Sequence, residues 1–170
     1  MMTAAKPHNP SIEIRLAKCD DAPAIASLLA EAFAEYLPLY TPEGYAATAI
    51  TREEVLGRIE EGPVWVAHSG EPILGTVSVV LKGKSLYLRG MAVLTAARGN
   101  RVGELLLVHV EMFAASIGVQ RLFLSTTPFL NRAIRLYEQF GFRRTSEGPD
   151  DLFGTPLFTM EKPIQSSHPD

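Results

Sequence analysis

The sequence contains a single cysteine, Cys19, and four histidines among 170 residues. A single cysteine excludes an intramolecular disulfide, and these scattered residues do not form the clustered pattern of a zinc site. We therefore expect no metal, and we expect a reducing compartment such as the cytoplasm. The first ten residues lack the apolar segment of a secretory signal peptide, which favours the same location.

The chain also lacks a large excess of charge and a hydrophobic run long enough to span a bilayer. Its net charge of −3 provides no general attraction to nucleic acid or to an anionic membrane surface. The most apolar stretch, residues 102–119, is too polar for a transmembrane helix because it contains Glu104, His109 and Glu111. We therefore expect neither nucleic acid nor a membrane as a partner. The remaining composition, 46% hydrophobic and 21% charged, is typical of one globular domain.

Hydrophobic periodicity indicates one domain over residues 12–162, between polar, proline-containing tails at 1–11 and 163–170 that we expect to be flexible. Alternating apolar residues predict strands at 12–17, 121–126, 142–147 and 156–162, with three more strands between 64 and 94. Helical spacing predicts helices at 20–37, 51–62, 99–117 and 131–141. Residues 37–50 and 146–155 are predicted to be loops.

The order of these segments predicts the fold class. The strand–helix–strand unit over residues 85–126 indicates a parallel crossover inside an otherwise antiparallel sheet. We expect an α/β fold with a mixed, mostly antiparallel sheet of about seven strands flanked by about four helices. Asp20 is expected to cap the first helix, and Thr51 with Glu54 to form a capping box at the second.

The stretch ARGNRVGELLL, residues 97–107, follows an apolar strand and opens a helix. Free amides at a helix N-terminus, glycines that permit close backbone approach, and arginine side chains all suit a phosphate group. An ordinary basic turn that caps a surface helix is the alternative, because short glycine-rich strings are common. The stretch has neither the Gly-Lys-Ser/Thr of a Walker loop nor the glycine spacing of a dinucleotide-binding motif.

A second motif, NRAIRLYEQFGFRR, covers residues 131–144. Together with the strand Met-Ala-Val, the turn RGNRVG and the closing LFTMEK, it resembles the GNAT superfamily of acyl-CoA-dependent N-acyltransferases over residues 12–162. Arg98 and Gly103 match the ends of the family's Arg/Gln-x-x-Gly-x-Gly/Ala turn, whereas Arg101 stands where the family has its first glycine. The resemblance implies the GNAT fold, with its parallel central strands splayed apart.

The resemblance also implies acetyl-CoA as co-substrate. The backbone of Met91 and Val93 would pair with the pantetheine amides like an added strand, and Asn131 would bind the pantetheine arm through its side chain. Backbone amides of the turn would hold the pyrophosphate. The implied cofactor-binding residues are Met91, Ala92, Val93, Arg98, Gly99, Asn100, Arg101, Val102, Gly103, Glu104 and Asn131.

By the same resemblance, a primary amine of a small molecule or peptide attacks the thioester directly in a ternary complex. The backbone N–H of Val93 would donate to the oxyanion, and Tyr137 would act as general acid toward the leaving thiolate. Because alkylamines are mostly protonated at pH 7, a general base is needed, and Glu31 and Glu35 are the candidates. The alternatives are that Tyr137 is a half-buried aromatic of an amphipathic helix and that both glutamates are solvated.

The acceptor amine is expected to enter between the loops at 37–50 and 146–155. Tyr36 and Tyr40 offer aromatic faces, and Asp150 and Asp151 offer carboxylates, which together suit a cationic amine. Ordinary solvated turns are the alternative for both loops. A non-catalytic acyl-CoA-binding regulatory module is the alternative function, and a homodimer is left open.

Overall fold

The computed structural model of the chain describes residues 11–165, so most of both predicted tails lies outside the described residues. The strands are β1 Glu13–Leu16, β2 Val64–His68, β3 Ile73–Lys82, β4 Ser85–Val93, β5 Arg121–Thr126, β6 Arg143–Thr145, β7 Asp151–Leu152, β8 Thr155–Pro156 and β9 Phe158–Pro163. The α-helices are α1 Ala22–Phe33, α2 Pro42–Thr48, α3 Arg52–Glu61, α4 Val102–Ile117 and α5 Asn131–Gln139.

Seven strands form one sheet in the order β1-β2-β3-β4-β5-β9-β6, and β7 pairs with β8 in a separate small hairpin. Neighbouring strands of the large sheet are antiparallel except β4 and β5, which are parallel and connected through α4. This confirms the predicted α/β fold with its mixed, mostly antiparallel sheet and its single crossover.

The two faces of the sheet carry different helices. On β2, Trp65 and Ala67 belong to the core that α4 covers, whereas Val64 and Val66 belong to the core beneath α1 and α3. Alternation of side chains along the strand produces this division. Burying one leucine of such a core stabilises the fold by about 1.5–3 kcal/mol, and Leu106 of α4 is completely buried.

Residues 11–165 contain five α-helices rather than about four, because the predicted loop at 37–50 contains α2. Thr41 caps this helix through its Oγ1, which accepts a hydrogen bond from the Gly44 N–H at 3.0 Å. Pro42 occupies the first helical position, where its missing N–H leaves no helical bond unmade. The sequence Thr-Pro before a helix is the signal that the loop prediction overlooked.

The predicted bounds of the first helix were wrong at both ends. Asp20 does not cap it: the N-cap is Asp21, whose carboxylate instead accepts hydrogen bonds from Arg15 and from the Lys18 N–H, each at 2.7 Å. The helix ends at Phe33 because Pro38 cannot donate a helical hydrogen bond, and residues 34–39 tighten into a 3-10 turn.

Two further predictions about element ends can be checked. The capping box of α3 is confirmed, since Thr51 Oγ1 accepts from the Glu54 N–H and Glu54 Oε1 accepts from the Thr51 N–H, both at 3.2 Å. The start of the C-terminal tail at residue 163 was wrong. The strand β9 includes Pro163, and the Ile164 N–H donates to the Gln120 carbonyl at 2.8 Å.

Candidate functional site

A cleft opens where β4 and β5 separate. The two strands pair from Ser85 and Arg121 as far as Leu88 and Leu124, and beyond that point both strands continue without pairing to each other. This confirms that the parallel central strands splay. The cleft therefore lies at the carboxyl ends of the two parallel strands.

A β-bulge in β4 accompanies the separation. On the other side of β4, Gly90 and Met91 together face the single residue Val77 of β3. Gly90 has φ 63, a left-handed conformation that glycine adopts without steric cost. A bulge increases local twist and bends its strand, which explains how β4 turns away from β5.

The edge of β4 beyond the bulge faces the cleft with its backbone. Ala92 pairs with Thr76, and the Leu94 N–H donates to the Leu74 carbonyl at 2.8 Å. Because backbone groups of successive residues alternate between the two sides of a strand, the N–H and C=O of Val93 point away from β3. They are directed into the cleft, where an extended ligand can pair with them.

A cavity of about 640 Å³ fills the cleft between β4, α1, α4 and α5. Its lining includes nine of the cofactor-binding residues implied by the family resemblance: Met91, Ala92, Val93, Arg98, Gly99, Arg101, Val102, Gly103 and Glu104. The remaining two residues, Asn100 and Asn131, do not line it. The Asn100 amide donates to the Ala97 carbonyl at 3.1 Å, and Asn131 is exposed at the start of α5.

The first turn of α4 presents unpaired backbone amides. The Leu105 N–H donates to the Arg101 carbonyl at 3.0 Å, but the amides of Val102, Gly103 and Glu104 have no acceptor among residues 11–165. The side chain of Arg101, the N-cap residue, provides none either. These amides and the dipole of a 16-residue helix form a site that suits an anion.

Arg101 adopts the left-handed conformation, with φ 62 and ψ 22. For a residue with a Cβ this conformation costs about 1–2 kcal/mol. The position at which the resembled family has glycine is therefore left-handed in this chain as well, although the residue is arginine. The Arg101 Nε donates to Glu104 Oε2 at 2.9 Å, so the side chain lies along the first turn of α4.

Gly103 leaves room for the Leu136 side chain of α5 beside the first turn of α4. A Cβ added at Gly103 would lie 2.7 Å from Leu136 Cδ2 and 3.4 Å from Met91 Cε. Both neighbours line the cavity. A side chain at this position would therefore displace the cavity wall.

Glu35 is joined to the cavity wall through an ion pair. Its Oε1 accepts a hydrogen bond from Arg98 Nη2 at 2.8 Å, and this bond lowers the pKa of the Glu35 carboxyl. A carboxylate held in this way is a poor proton acceptor. Glu31 is exposed on α1, and neither glutamate lines the cavity.

Two arginines that the sequence analysis overlooked line the cavity from α5. Arg132 and Arg135 have no hydrogen-bond or ion-pair partner among the described residues, whereas Arg98 and Arg101 are paired with carboxylates. Their spacing of three residues on a helix places them on one face. Their position beside Asn131 in the second motif was the available signal.

Tyr137 is the buried phenol of the cavity. It is 7% exposed, lines the cavity from α5, and packs on Phe142 with ring centroids 5.7 Å apart. Burial raises the pKa of the Tyr137 phenol, so it stays protonated and can donate a proton at neutral pH.

An aromatic cluster lies beside the cavity. Tyr36 lines the cavity, whereas Tyr40 is buried behind it, with its ring 4.9 Å from Phe129 and 5.9 Å from Tyr45. Burial raises the pKa of Tyr40. Phe129, which precedes α5 by two residues, was not among the predicted site residues.

The two segments predicted to border the acceptor entrance contact each other. Thr41 Oγ1 donates to the Phe153 carbonyl at 2.8 Å, and the Thr41 N–H donates to Thr155 Oγ1 at 2.9 Å. The β7–β8 hairpin is thereby fixed to the start of α2. Asp150 and Asp151 are exposed and do not line the cavity, and Asp151 Oδ2 accepts from the Gly154 N–H at 2.8 Å.

Within residues 11–165, no three or more histidine, cysteine or acidic side chains come together as a set that could hold a metal ion. None of the helices in that part of the chain has both the length and the apolar character needed to cross a membrane.

Comparison with known proteins shows similarity to acetyltransferases. The sequence profile of the acetyltransferase (GNAT) family matches residues 24–142. An uncharacterised N-acetyltransferase, YjgM, of Escherichia coli K12 is 33% identical over 129 residues, covering 72% of this chain and 76% of that protein. The probable N-acetyltransferase family 8 member 5 of mouse is 34% identical over 92 residues. The matched region is 51% of this chain and only 40% of the mouse protein.

Solved structures share the fold. The PaiA N-acetyltransferase of Thermoplasma acidophilum, in complex with coenzyme A, has a TM-score of 0.78 at 18% identity, covering 90% of this chain and 99% of that one. YncA of Salmonella typhimurium, a putative acetyltransferase with acetyl-CoA, has a TM-score of 0.69 at 21% identity, covering 94% and 98%. The profile match, the E. coli relative and the splayed sheet agree, and the chain belongs to the GNAT family of acetyltransferases.

Proposed function

We propose that the protein is an N-acetyltransferase that transfers the acetyl group of acetyl-CoA to a primary amine of a small molecule or peptide. The observation that carries this proposal is the cleft, in which a strand edge, unpaired helix amides and a buried phenol border one cavity. Family membership supports acetyl transfer. The coenzyme A and acetyl-CoA bound to the Thermoplasma and Salmonella proteins support the choice of co-substrate.

The β4 edge is suited to the pantetheine arm. Met91 and Val93 lie beyond the last β4–β5 pair, and the backbone groups of Val93 are directed into the cavity. An amide-bearing chain can extend the sheet there through main-chain hydrogen bonds. We propose that Asn131 contacts the same arm from the exposed start of α5.

The start of α4 is suited to the pyrophosphate. The amides of residues 102–104 lack acceptors among the described residues, and Gly99 allows the backbone to approach the ligand closely. Arg132 and Arg135 are the lining cations that form no ion pair within residues 11–165, although Arg132 lies near enough to Glu35 to help lower the pKa of its carboxyl. We therefore propose that these two arginines, more than Arg98 and Arg101, neutralise the phosphates.

Acetyl-CoA supplies an activated thioester. The neutral amine attacks its carbonyl carbon, so that a C–N bond forms and the C–S bond breaks. The Val93 N–H donates to the carbonyl oxygen as negative charge develops there, and Tyr137 gives its proton to the leaving thiolate. The proton lost by the amine passes to water or to Glu31, since the bond from Arg98 lowers the pKa of Glu35.

The test is thiol release from acetyl-CoA in the presence of a panel of amines, combined with thermal denaturation with and without acetyl-CoA. We expect a rise in melting temperature and amine-dependent thiol release. A non-catalytic acyl-CoA-binding module is the second candidate. It is favoured by one observation: the only carboxylate in the described cavity lining is Glu104, which is bound to Arg101. That candidate predicts the thermal shift without thiol release.

A further inference from the structure

The sheet face opposite α4 carries a second set of polar and aromatic side chains at the splay. On β4, Leu86 and Leu88 belong to the core beneath α4, so the alternate residues Tyr87 and Arg89 face the other side. Phe123 of β5 shares this face, and its ring centroid lies 4.9 Å from that of Tyr87. All three are only partly buried.

Arg58 of α3 lies over the β4 bulge on this face. A Cβ added at Gly90 would overlap the Arg58 Nη1, so the guanidinium occupies the space that the glycine leaves open. Gly90 directly precedes Met91, which lines the cavity. The Arg58 guanidinium therefore lies against the residue that precedes the cavity lining, although neither Arg58 nor Arg89 lines the cavity itself.

The positive charge at this position is incompletely balanced. Arg58 has no hydrogen-bond or ion-pair partner among residues 11–165. Arg89 pairs with Glu61 at 2.5 Å through Nη2, but its Nε is buried without a partner in the same range. Burial and the neighbouring charge of Arg89 lower the pKa of Arg58.

Another arginine of the same sheet face shows that this imbalance is local. Arg121 Nη1 contacts Glu147 at 2.9 Å and Glu161 at 2.5 Å, and its Nε donates to Ser85 Oγ at 2.9 Å. Its guanidinium also lies over the Phe123 ring. Among residues 11–165, Arg121 thus pairs with two carboxylates, whereas Arg89 pairs with one and Arg58 forms no ion pair.

We propose that Arg58 and Arg89 bind a carboxylate of the acceptor, which makes the substrate an amino acid or another amine that bears a carboxylate. Guanidinium groups suit this task because their planar donors match two carboxylate oxygens. This inference rests on the proposed acetyl transfer. The expectation of a cationic acceptor depended on Tyr36 and Tyr40 together with the carboxylates of Asp150 and Asp151; both carboxylates are exposed, and Asp151 already accepts from the Gly154 N–H.

The first experiment compares acceptors in pairs, each amino acid against its carboxamide, at equal concentrations of unprotonated amine. We expect kcat/KM to be at least about tenfold higher for the carboxylates, the size expected from charge-assisted hydrogen bonds. Equal or faster acetylation of the carboxamides would overturn the proposal.

The second experiment measures the same ratio in Arg58→Gln and Arg89→Gln. We expect the ratio of carboxylate to carboxamide kcat/KM to fall toward one, mainly through KM, with Arg58→Lys recovering part of it. Arg52→Gln is the matched control, because Arg52 is on the same helix but is exposed and paired with Glu53 at 3.1 Å. An unchanged thermal shift with acetyl-CoA shows that each variant folds. A ratio unaffected by both glutamine variants contradicts the role of this pair.

The two proposals fail in different ways. Acetylation of amines without any preference for a carboxylate removes the inference and leaves the acetyltransferase intact. If no amine is acetylated, the carboxylate site is tested by calorimetric titration of the same amino acids into the protein in the presence of coenzyme A. Binding that Arg58→Gln abolishes supports the carboxylate site, and absence of binding overturns it.

Discussion

The guanidinium of Arg98 and the carboxylate of Glu35 meet at 2.8 Å, joining the segment after α1 to the turn before α4. Both segments border the cavity, through Tyr36 and Arg98, so this ion pair ties two parts of its wall together. Glu35 is one of the two predicted candidates for the general base, and its carboxylate is held in this ion pair.

We expect Glu35→Gln to leave kcat within about twofold and to keep its pH dependence, because a base would contribute about 10²–10⁴-fold. The loss in stability should be about 0–1 kcal/mol, since the carboxylate is half exposed. The measurement is kcat as a function of pH, with Glu31→Gln assayed in parallel. A loss of two orders of magnitude in Glu35→Gln would return the role of base to this residue.

Tyr137→Phe tests the proton donor. Because the phenol is buried and its pKa is raised, it is protonated throughout the neutral range. We expect the variant to bind acetyl-CoA but to lose about 10²-fold or more in kcat, as for other general acids. Tyr45→Phe, outside the cavity lining, is the control. Full turnover in Tyr137→Phe would leave the residue only a packing role with Phe142.

Arg101→Gly tests the strain in the turn before α4. Glycine adopts φ 62 freely, so we expect a gain of about 1 kcal/mol in the free energy of unfolding. Arg101→Ala removes the bond to Glu104 but keeps the left-handed residue, and it should give no gain. Urea denaturation of the three proteins measures the difference. A glycine variant no more stable than the alanine variant would show that the turn is unstrained.

Two glycine-to-alanine substitutions in helices should have opposite effects. At Gly103 the added Cβ meets Leu136 at 2.7 Å, which we expect to cost about 1–3 kcal/mol and to weaken acetyl-CoA binding. At Gly57 of α3 no atom lies within 4 Å of the added Cβ, so alanine should stabilise the protein by about 0.5–1 kcal/mol. Thermal denaturation with and without acetyl-CoA checks both. If both variants changed the melting temperature by the same amount, the close contact between position 103 and Leu136 would be contradicted.

Asp21 links stability to pH. Its hydrogen bond from Arg15 lowers the pKa of the carboxyl, and the N–H of Lys18 contributes in the same direction. A lowered pKa adds stability that is present above the ordinary aspartate range and is lost as the pH falls below about 4. We expect the melting temperature of the wild type to exceed that of Asp21→Asn at pH 6, and the difference to become smaller toward pH 3. A difference in melting temperature that stays constant from pH 6 to pH 3 would contradict a stabilising ion pair between Arg15 and Asp21.

Much of the architecture was predictable because local patterns and global fold agree. The alternating strands, the amphipathic α4 and the capping box at Thr51 each depend on nearby residues only. The parallel crossover followed from the order of elements. The helix α2 was missed although Thr41 and Pro42 form a start signal, because its seven residues show little apolar periodicity.

The site was predictable where a contiguous motif forms it, as in the turn before α4. It was not predictable where distant segments meet. Arg58 and Gly90 are far apart in the chain, and only the bulge in β4 brings the guanidinium over the glycine. Similarly, the pairing of Glu35 with Arg98 depends on how α1 packs, which periodicity does not determine.

Amine-dependent acetyl transfer is tested most directly by measuring thiol release from acetyl-CoA together with mass spectrometry of the acceptor. We expect saturable thiol release that requires an amine, with an acceptor product heavier by one acetyl group. The proposal would be contradicted if acetyl-CoA caused no thermal shift and no thiol was released with any of the amino acids, polyamines, aminoglycosides and peptides tested.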